Sequence, residues 1–205
     1  SGLGELIVVD IGGATTDIHS VSKDSPAVAK ILMNPEPFAK RTVEGDLGVY
    51  INAEYVNNFL AEEGKAVDLK NLSPLPKNEK EEVVIKKLAE KAAVMAAERH
   101  AGRFFDFYGP GGRQTVAEGK DLTAVKWIIG TGGALTRLKG GSHVLEKIKV
   151  KHSKRLLPGK DVRILLDNDY IFASCGMMAQ KYPEAALSLL ISSLKYNNLA
   201  EERMS

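Results

Sequence analysis

The chain has 205 residues, 44% hydrophobic and 26% charged, with 28 basic against 26 acidic side chains and a formal net charge of +2. That length supports one sizeable core or two small ones, and the even charge balance lacks the clustered basic excess of a nucleic-acid footprint. No apolar run reaches the roughly 20 residues of a membrane helix, and a single cysteine, Cys175, excludes an internal disulfide or a cysteine-rich metal centre.

"ELIVVDI" (Glu5 to Ile11) is short, rich in Val and Ile and bounded by glycines, and predicts a buried strand. "DIHSVSK" (Asp17 to Lys23) alternates and predicts a strand paired with the first. "VAKILMN" (Val28 to Asn34) predicts a third, reached through the turn residues Asp24, Ser25 and Pro26. Asn34 to Gly48 reads as a loop. "VYINAEYVNNFLAEEG" reads as a helix capped by Asp46, with Leu47, Ile51, Tyr55 and Phe59 on one face. After the proline-punctuated "KNLSPLPKN", Asn78 and Glu81 form a capping-box pattern. It opens a long helix to about Ala101, with Val84, Leu88, Ala92 and Met95 along one stripe and a favourable Glu82–Lys86 spacing.

"RFFDFYGPGGRQTVAEGKD" predicts a strand, a Gly/Pro turn and a second strand. "VKWIIGTGGALTRL" predicts a strand feeding a glycine loop, "SHVLEKIKV" a short helix, and "DVRILLDNDYIFAS" a strand and turn. A helical stretch broken near Pro183 closes the chain. This order predicts an α/β domain: a mixed sheet with helices on its faces and a helical insertion over about 46–103.

Asp10 and Asp17 flank the turn "IGGATT". If that turn joins the first two strands, the carboxylates meet at one end of the sheet and repel unless a metal lies between them or one is protonated. Gly12 and Gly13 can turn backbone N–H groups toward an anion, and Thr15 and Thr16 add hydroxyls. Phosphate with Mg²⁺ satisfies these parts together. A plain hairpin with two solvent-facing aspartates satisfies the pattern as well, and both readings stay open at this point. The loop Gly130-Thr131-Gly132-Gly133 follows a buried strand and lacks both the Walker lysine and the GxGxxG spacing. His19, His100, His143 and His152 have no metal-ligand spacing and read as surface or cap residues.

Taken together, "VVDIGGATTD" resembles the second phosphate motif of the actin/Hsp70/sugar-kinase ATPases, with Ala14 where a third glycine is common. "EGDLG" resembles the element that follows it, "IIGTGGALTRL" the adenosine motif, and "LDNDYIFASCGMMA" the late connecting helix. More narrowly, "RTVEGDLG", "ERHAGR", "GKDLTAVKWIIGTGGALTRL" and "LLPGKD" resemble the glutamate mutase accessory proteins of the MutL or GlmL family, which are unrelated to mismatch-repair MutL.

The resemblance implies a ribonuclease H-like mixed sheet with helices on both faces. It implies a single actin-like lobe over 1–205, the C-terminal one, because the Asp-x-Gly motif of a first lobe is not found; the N-terminal lobe is then absent from this chain. It also implies a cytoplasmic, ATP- and Mg²⁺-dependent, chaperone-like reactivating factor whose partner is an adenosylcobalamin-dependent mutase, with no role for nucleic acid or membrane. In that frame Asp10 and Asp17 are the catalytic carboxylates and metal anchors. Gly12, Gly13, Ala14 and Thr15 contact the phosphates, and Gly130, Thr131, Gly132 and Gly133 the adenosine. Arg137, Lys87 and Lys91 are expected chiefly at solvent, the lysines on a helix face. A non-catalytic actin-like module that binds nucleotide or protein is the competing expectation. The related dehydratase activators, which need paired cysteines for an iron–sulfur cluster, do not fit a chain with one cysteine.

Overall fold

A computed structural model describes residues 3–149 and 154–194. Its first strand, β1 (Leu6–Ile11), is the apolar run expected, and Ile7, Val9 and Ile11 on one face are fully buried. Each such aliphatic contributes about 2 kcal/mol by leaving water. β2 (Thr16–Val21) pairs with it antiparallel, and β3 (Ala39–Glu44) pairs antiparallel with β2. On the other side of β1, β6 (Trp127–Thr131) and β7 (Arg163–Leu166) run parallel to it. The strands form one mixed sheet in the order β3-β2-β1-β6-β7, and β4 (Arg103–Gly109) with β5 (Gly112–Glu118) makes a separate hairpin.

Helices flank both faces. On one, α2 (Ala53–Glu62), the long α3 (Glu79–His100) and the short α5 (Gly141–Glu146) share a core with Ile7, Val9, Ile11, Ile18 and Ile128. α3 is smooth and alanine-rich where it lies close to the strands, with Ala89, Ala92, Ala93 and Ala96 fully buried. The expected cap forms, with the Asn78 side chain accepting from the Glu81 N–H at 3.0 Å, while the Glu81 carboxylate accepts from the Lys77 N–H and the Asn78 side-chain amide rather than from the Asn78 backbone. The two helices of the 46–103 stretch therefore supply much of this core. On the opposite face, Val8, Trp127, Ile129 and Leu165 pack with Leu194 and Phe172, carried by α6 (Phe172–Met178) and α7 (Pro183–Ser193). Among the described residues no helix is long and apolar enough to cross a membrane.

Three local expectations are corrected. Residues Val28 to Asn34 do not form the third strand. Ser25 caps, and Pro26 opens, the one-turn helix α1 (Pro26–Ala29), after which Leu32 makes only a bridge to Ala117. The third strand is instead Ala39–Glu44, inside the stretch read as a loop. It is an edge strand whose residues are all exposed or half-buried, so its sequence carries no apolar signature. Second, α2 starts at Ala53, after Asn52, and turns Val56 and Leu60 inward; Ile51 and Tyr55 are 71% and 58% exposed, and Asp46 pairs with Arg99 of α3 rather than capping α2. Third, His100 is buried: Nε2 lies 2.8 Å from Ser20 Oγ and Nδ1 2.9 Å from Thr42 Oγ1. Burial pushes its pKa down to about 4, so the ring is neutral at physiological pH. His152 lies outside the described residues.

Candidate functional site

The hairpin between β1 and β2 sets Asp10 directly opposite Asp17 in the ladder, and β1–β6 pairing sets Asp10 beside Thr131. Directly opposed residues share a face, so both aspartates stand on the α6–α7 side of the sheet. The two glycine segments expected at a site thus meet at one end of β1.

The turn 12–15 is held from below. Its carbonyls are taken up by the next segment: Gly12 O accepts from Val49 N, Gly13 O from Tyr50 N and Ile51 N, and Ala14 O from Asn52 Nδ2 at 2.7 Å. Gly48 lies so close that a Cβ there would run into the Gly13 and Ala14 carbonyls. Thr16 is buried and donates to Leu47 O at 2.6 Å, which places its hydroxyl under the turn rather than at its surface. With the carbonyls drawn inward, the N–H groups of Gly13, Ala14 and Thr15 have no acceptor among the described residues. Gly13 is exposed and the other two are half-buried. A row of free N–H groups on a strapped turn is an anion-binding arrangement.

The two carboxylates differ. Asp17 Oδ1 receives Arg41 Nη2 at 2.8 Å and Nε at 3.2 Å from β3, and Oδ2 receives the Thr15 hydroxyl at 3.1 Å. Asp10 has no hydrogen-bond donor among the described residues. Desolvation pushes its pKa up, and the facing Asp17 and the nearby Asp167 add to the rise, while His19 and Arg41 pull the other way. An acceptor-only group in that setting calls for a cation. Among the described residues no cluster of three or more His, Cys, Asp or Glu could hold a metal. Mg²⁺, which keeps most of its waters and takes one or two carboxylates plus phosphate oxygens, needs no such cluster, and Asp10 with Asp17 fits that donor set.

The second loop closes on the first. Gly132 has φ +90°, and a Cβ there would run into Asp10 Oδ1 and the Ile11 backbone. Only glycine permits both the conformation and the approach. Gly130 is buried within β6 under Leu135, Leu145 and Leu166, so it serves packing beneath the loop, while Gly133, the first residue of α4 (Gly133–Thr136), is exposed. Gly13 and Tyr50 on one side and Gly133, Ala134, Arg137 and Leu138 on the other line a cleft of about 70 Å³, closed by Pro74, Leu75, Pro76 and Ile85. That is well below the roughly 300 Å³ of an enclosing ligand pocket, so the cleft among the described residues does not by itself enclose a ligand. Arg137 is exposed; Lys91 is committed to Glu63 at 2.6 Å, and both Lys91 and Lys87 line a groove between α2, α3 and α5, away from this cleft.

Sequence reasoning missed four contributors: Arg41, Asn52, the strap 48–51 and Asp167. Asp167 was legible by the logic applied to Asp10. "RILLD" ends an apolar strand in an aspartate as "LIVVD" does.

A family profile described as MutL protein matches residues 1–194. Protein MutL of Clostridium tetanomorphum is 34% identical over 208 residues, an alignment that covers 92% of this chain and 45% of that protein. The chain thus spans less than half the length of the curated relative it matches.

Proposed function

The chain belongs to the MutL protein family, and from that premise we propose that it is the C-terminal, ribonuclease H-like lobe of an ATP-dependent, chaperone-like accessory factor for an adenosylcobalamin-dependent mutase. The strand order, three antiparallel strands followed by two parallel ones with helices on both faces, supports the actin/Hsp70-like reading. So does the small cleft, which leaves the rest of a nucleotide to be enclosed by a second lobe. The observation that carries the proposal is Asp10. A half-buried carboxylate without donors, facing a second carboxylate and adjoining three free N–H groups, suits a cation bridged to phosphate.

In this reading Asp10 anchors the metal and Asp17 borders it, held in orientation by Arg41 and Thr15. The Gly13, Ala14 and Thr15 N–H groups bind phosphate oxygens, and the wall formed by Gly133, Ala134 and Leu138 receives the adenosine edge. Bound Mg²⁺ supplies charge neutralisation between the carboxylates and the triphosphate. The protein's contribution to turnover is positioning and preorganised electrostatics. A module that binds nucleotide without turnover is the second reading. It is favoured by Asp17 being already engaged by Arg41, which leaves Asp10 as the one uncommitted carboxylate of the pair. Steady-state ATPase and Mg-ATP calorimetry on the whole protein, with and without the mutase, separate the two. Turnover stimulated by the mutase is expected; binding with zero turnover selects the second reading; no binding removes both.

A further inference from the structure

Asp167 is fully buried, yet it belongs to neither glycine loop. It follows the last residue of β7, and its own N–H donates to Gly130 O at 2.8 Å. Its carboxylate accepts four bonds from three different pieces of chain. Thr131 Oγ1 reaches Oδ2 at 2.9 Å from the end of β6, and Ser193 Oγ reaches Oδ1 at 2.7 Å from the end of α7. The N–H groups of Ile171 and Phe172 donate at 3.1 and 2.9 Å from the start of α6. Ser193 is engaged again from the same turn: its Oγ accepts from Asp169 N at 3.1 Å, and its carbonyl accepts from Asn168 Nδ2 at 2.9 Å.

A cap for α6 would need only the two N–H bonds. The additional grip on Thr131 acts one residue before Gly132, where the chain takes the φ +90° bend that brings its backbone against Asp10. Resting on the nucleotide reading above, we propose that Asp167 is a positioning residue of that site: through the Thr131 hydroxyl, and braced by Ser193, it holds the 130–133 loop against Asp10 and so fixes the wall on which the nucleotide packs. Removing a partner from such a carboxylate leaves a buried charge short of donors and frees the loop it held.

The test uses the whole protein with Asp167→Asn, Thr131→Val and Thr131→Ser. It compares nucleotide kinetics and Mg-ATP affinity with hydrogen exchange across 128–138 and with thermal melting. Thr131→Val keeps the branched shape while exchanging the hydroxyl for a methyl, so it remains informative should Asp167→Asn fail to fold. Thr131→Ser restores the bond and is expected to behave as the wild type. Thr131→Val and Asp167→Asn are expected to speed exchange in the loop and to raise KM, with weaker Mg-ATP binding, by about ten- to a hundredfold, the usual size for partners that orient a binding group. kcat at saturation should fall less. The double variant should cost less than the product of the two single effects, because both changes act on the Thr131–Asp167 linkage. Faster loop exchange with unchanged KM and affinity would reduce Asp167 to a helix cap and overturn the proposal, and so would unchanged exchange, failure of Thr131→Ser to match the wild type, or fully multiplicative effects. A wild-type protein that binds no Mg-ATP overturns the nucleotide reading and this role with it, and that failure is seen before any variant is made.

Discussion

The two ends of β2 are built from similar polar residues and treat them in opposite ways. Beyond its C-terminal end, Lys120 is buried and its ammonium donates to Ser22 O and Pro37 O at 2.8 Å and to Phe38 O at 3.3 Å. Next to it Asp121, also buried, accepts from the Ser25 N–H and hydroxyl and from the Thr123 N–H and hydroxyl, all between 2.6 and 2.8 Å. Lys120 and Asp121 both have their partners inside the protein, so the knot ties the 22–38 excursion to the sheet, although one carboxylate oxygen of nearby Asp24 is buried without a hydrogen bond among the described residues. At the N-terminal end the carbonyls of the turn are satisfied, its N–H groups are left over, and Asp10 faces Asp17 with no donor of its own. Buried polar groups are almost always paired in a relaxed fold. An end that leaves both an unpartnered carboxylate and unpartnered amides is what the proposed nucleotide site rests on.

Asp10→Asn breaks this comparison hardest. In the whole protein it should lower Mg-ATP-dependent activity by about a hundredfold or more, because in the proposed reading Asp10 anchors the metal and would lose its charge. The same change should stabilise the ligand-free protein. The folded-state pKa of Asp10 lies above the ordinary carboxylate value of 3.8, so the folded state binds that proton more tightly than the unfolded chain does. The resulting contribution is present while the group is protonated and is lost as pH rises through the folded value. At neutral pH the ionised carboxylate is therefore a cost that asparagine lacks. A higher melting temperature than the wild type is expected at neutral pH. The difference should shrink as pH falls toward 3.8. Melting curves at both pH values check the sign: a loss of stability at neutral pH would mean that Asp10 is satisfied within the fold, and the contrast between the two ends would disappear.

Lys120→Met is the complementary change. Methionine keeps the stem and leaves the carbonyls of Ser22 and Pro37 without the lysine donor, while Phe38 O keeps the Ser22 N–H at 3.0 Å. A cost of about 3 kcal/mol in unfolding free energy is expected, with Mg-ATP affinity of the whole protein unchanged once the variant is folded. Denaturant titration with parallel calorimetry reads both quantities. A variant as stable as the wild type would mean that the knot bears little of the fold.

The same contrast explains what the sequence discloses. β1 and the glycine turn were legible because burial on both faces leaves an apolar run, and a bend with close backbone approach leaves glycines. The pairing of Asp10 with Asp17 followed from a hairpin of that length. β3 was not legible: "AKRTVE" is an edge strand lying half in water, and its partners are chosen by the neighbouring strand rather than by its own apolar pattern. The start of α2 was misread for a related reason. Ile51 continues the apolar spacing of a helix, but the N–H groups of Val49, Tyr50 and Ile51 and the Asn52 side chain are spent on the turn carbonyls, a tertiary demand that no local pattern reports. Lys120 was overlooked because a lysine is presumed to be solvated, and its burial depends on three carbonyls brought together from two distant segments.

The finest probe of the comparison is Arg41→Gln. Arg41 is 60% exposed where it meets Asp17, and exposed ion pairs contribute about 1 kcal/mol or less, so stability should hardly move. The informative effect is at the site. Arg41 is the built-in cation nearest the carboxylate pair: it occupies Asp17 Oδ1 and its charge also pulls down the pKa of Asp10. Removing it makes the pair more negative and releases Asp17, so an incoming divalent cation should be held more tightly. Titrating Mg²⁺ at fixed nucleotide should show half-saturation a few-fold lower in Arg41→Gln, with the gap narrowing as salt is added because the charges lie near solvent. An unchanged Mg²⁺ requirement would separate Asp17 from the metal and leave Asp10 as its sole carboxylate anchor. A weaker requirement for Arg41 at high salt, with tighter Mg²⁺ at low salt, would place both aspartates on the cation and make the arginine their stand-in while the nucleotide is away.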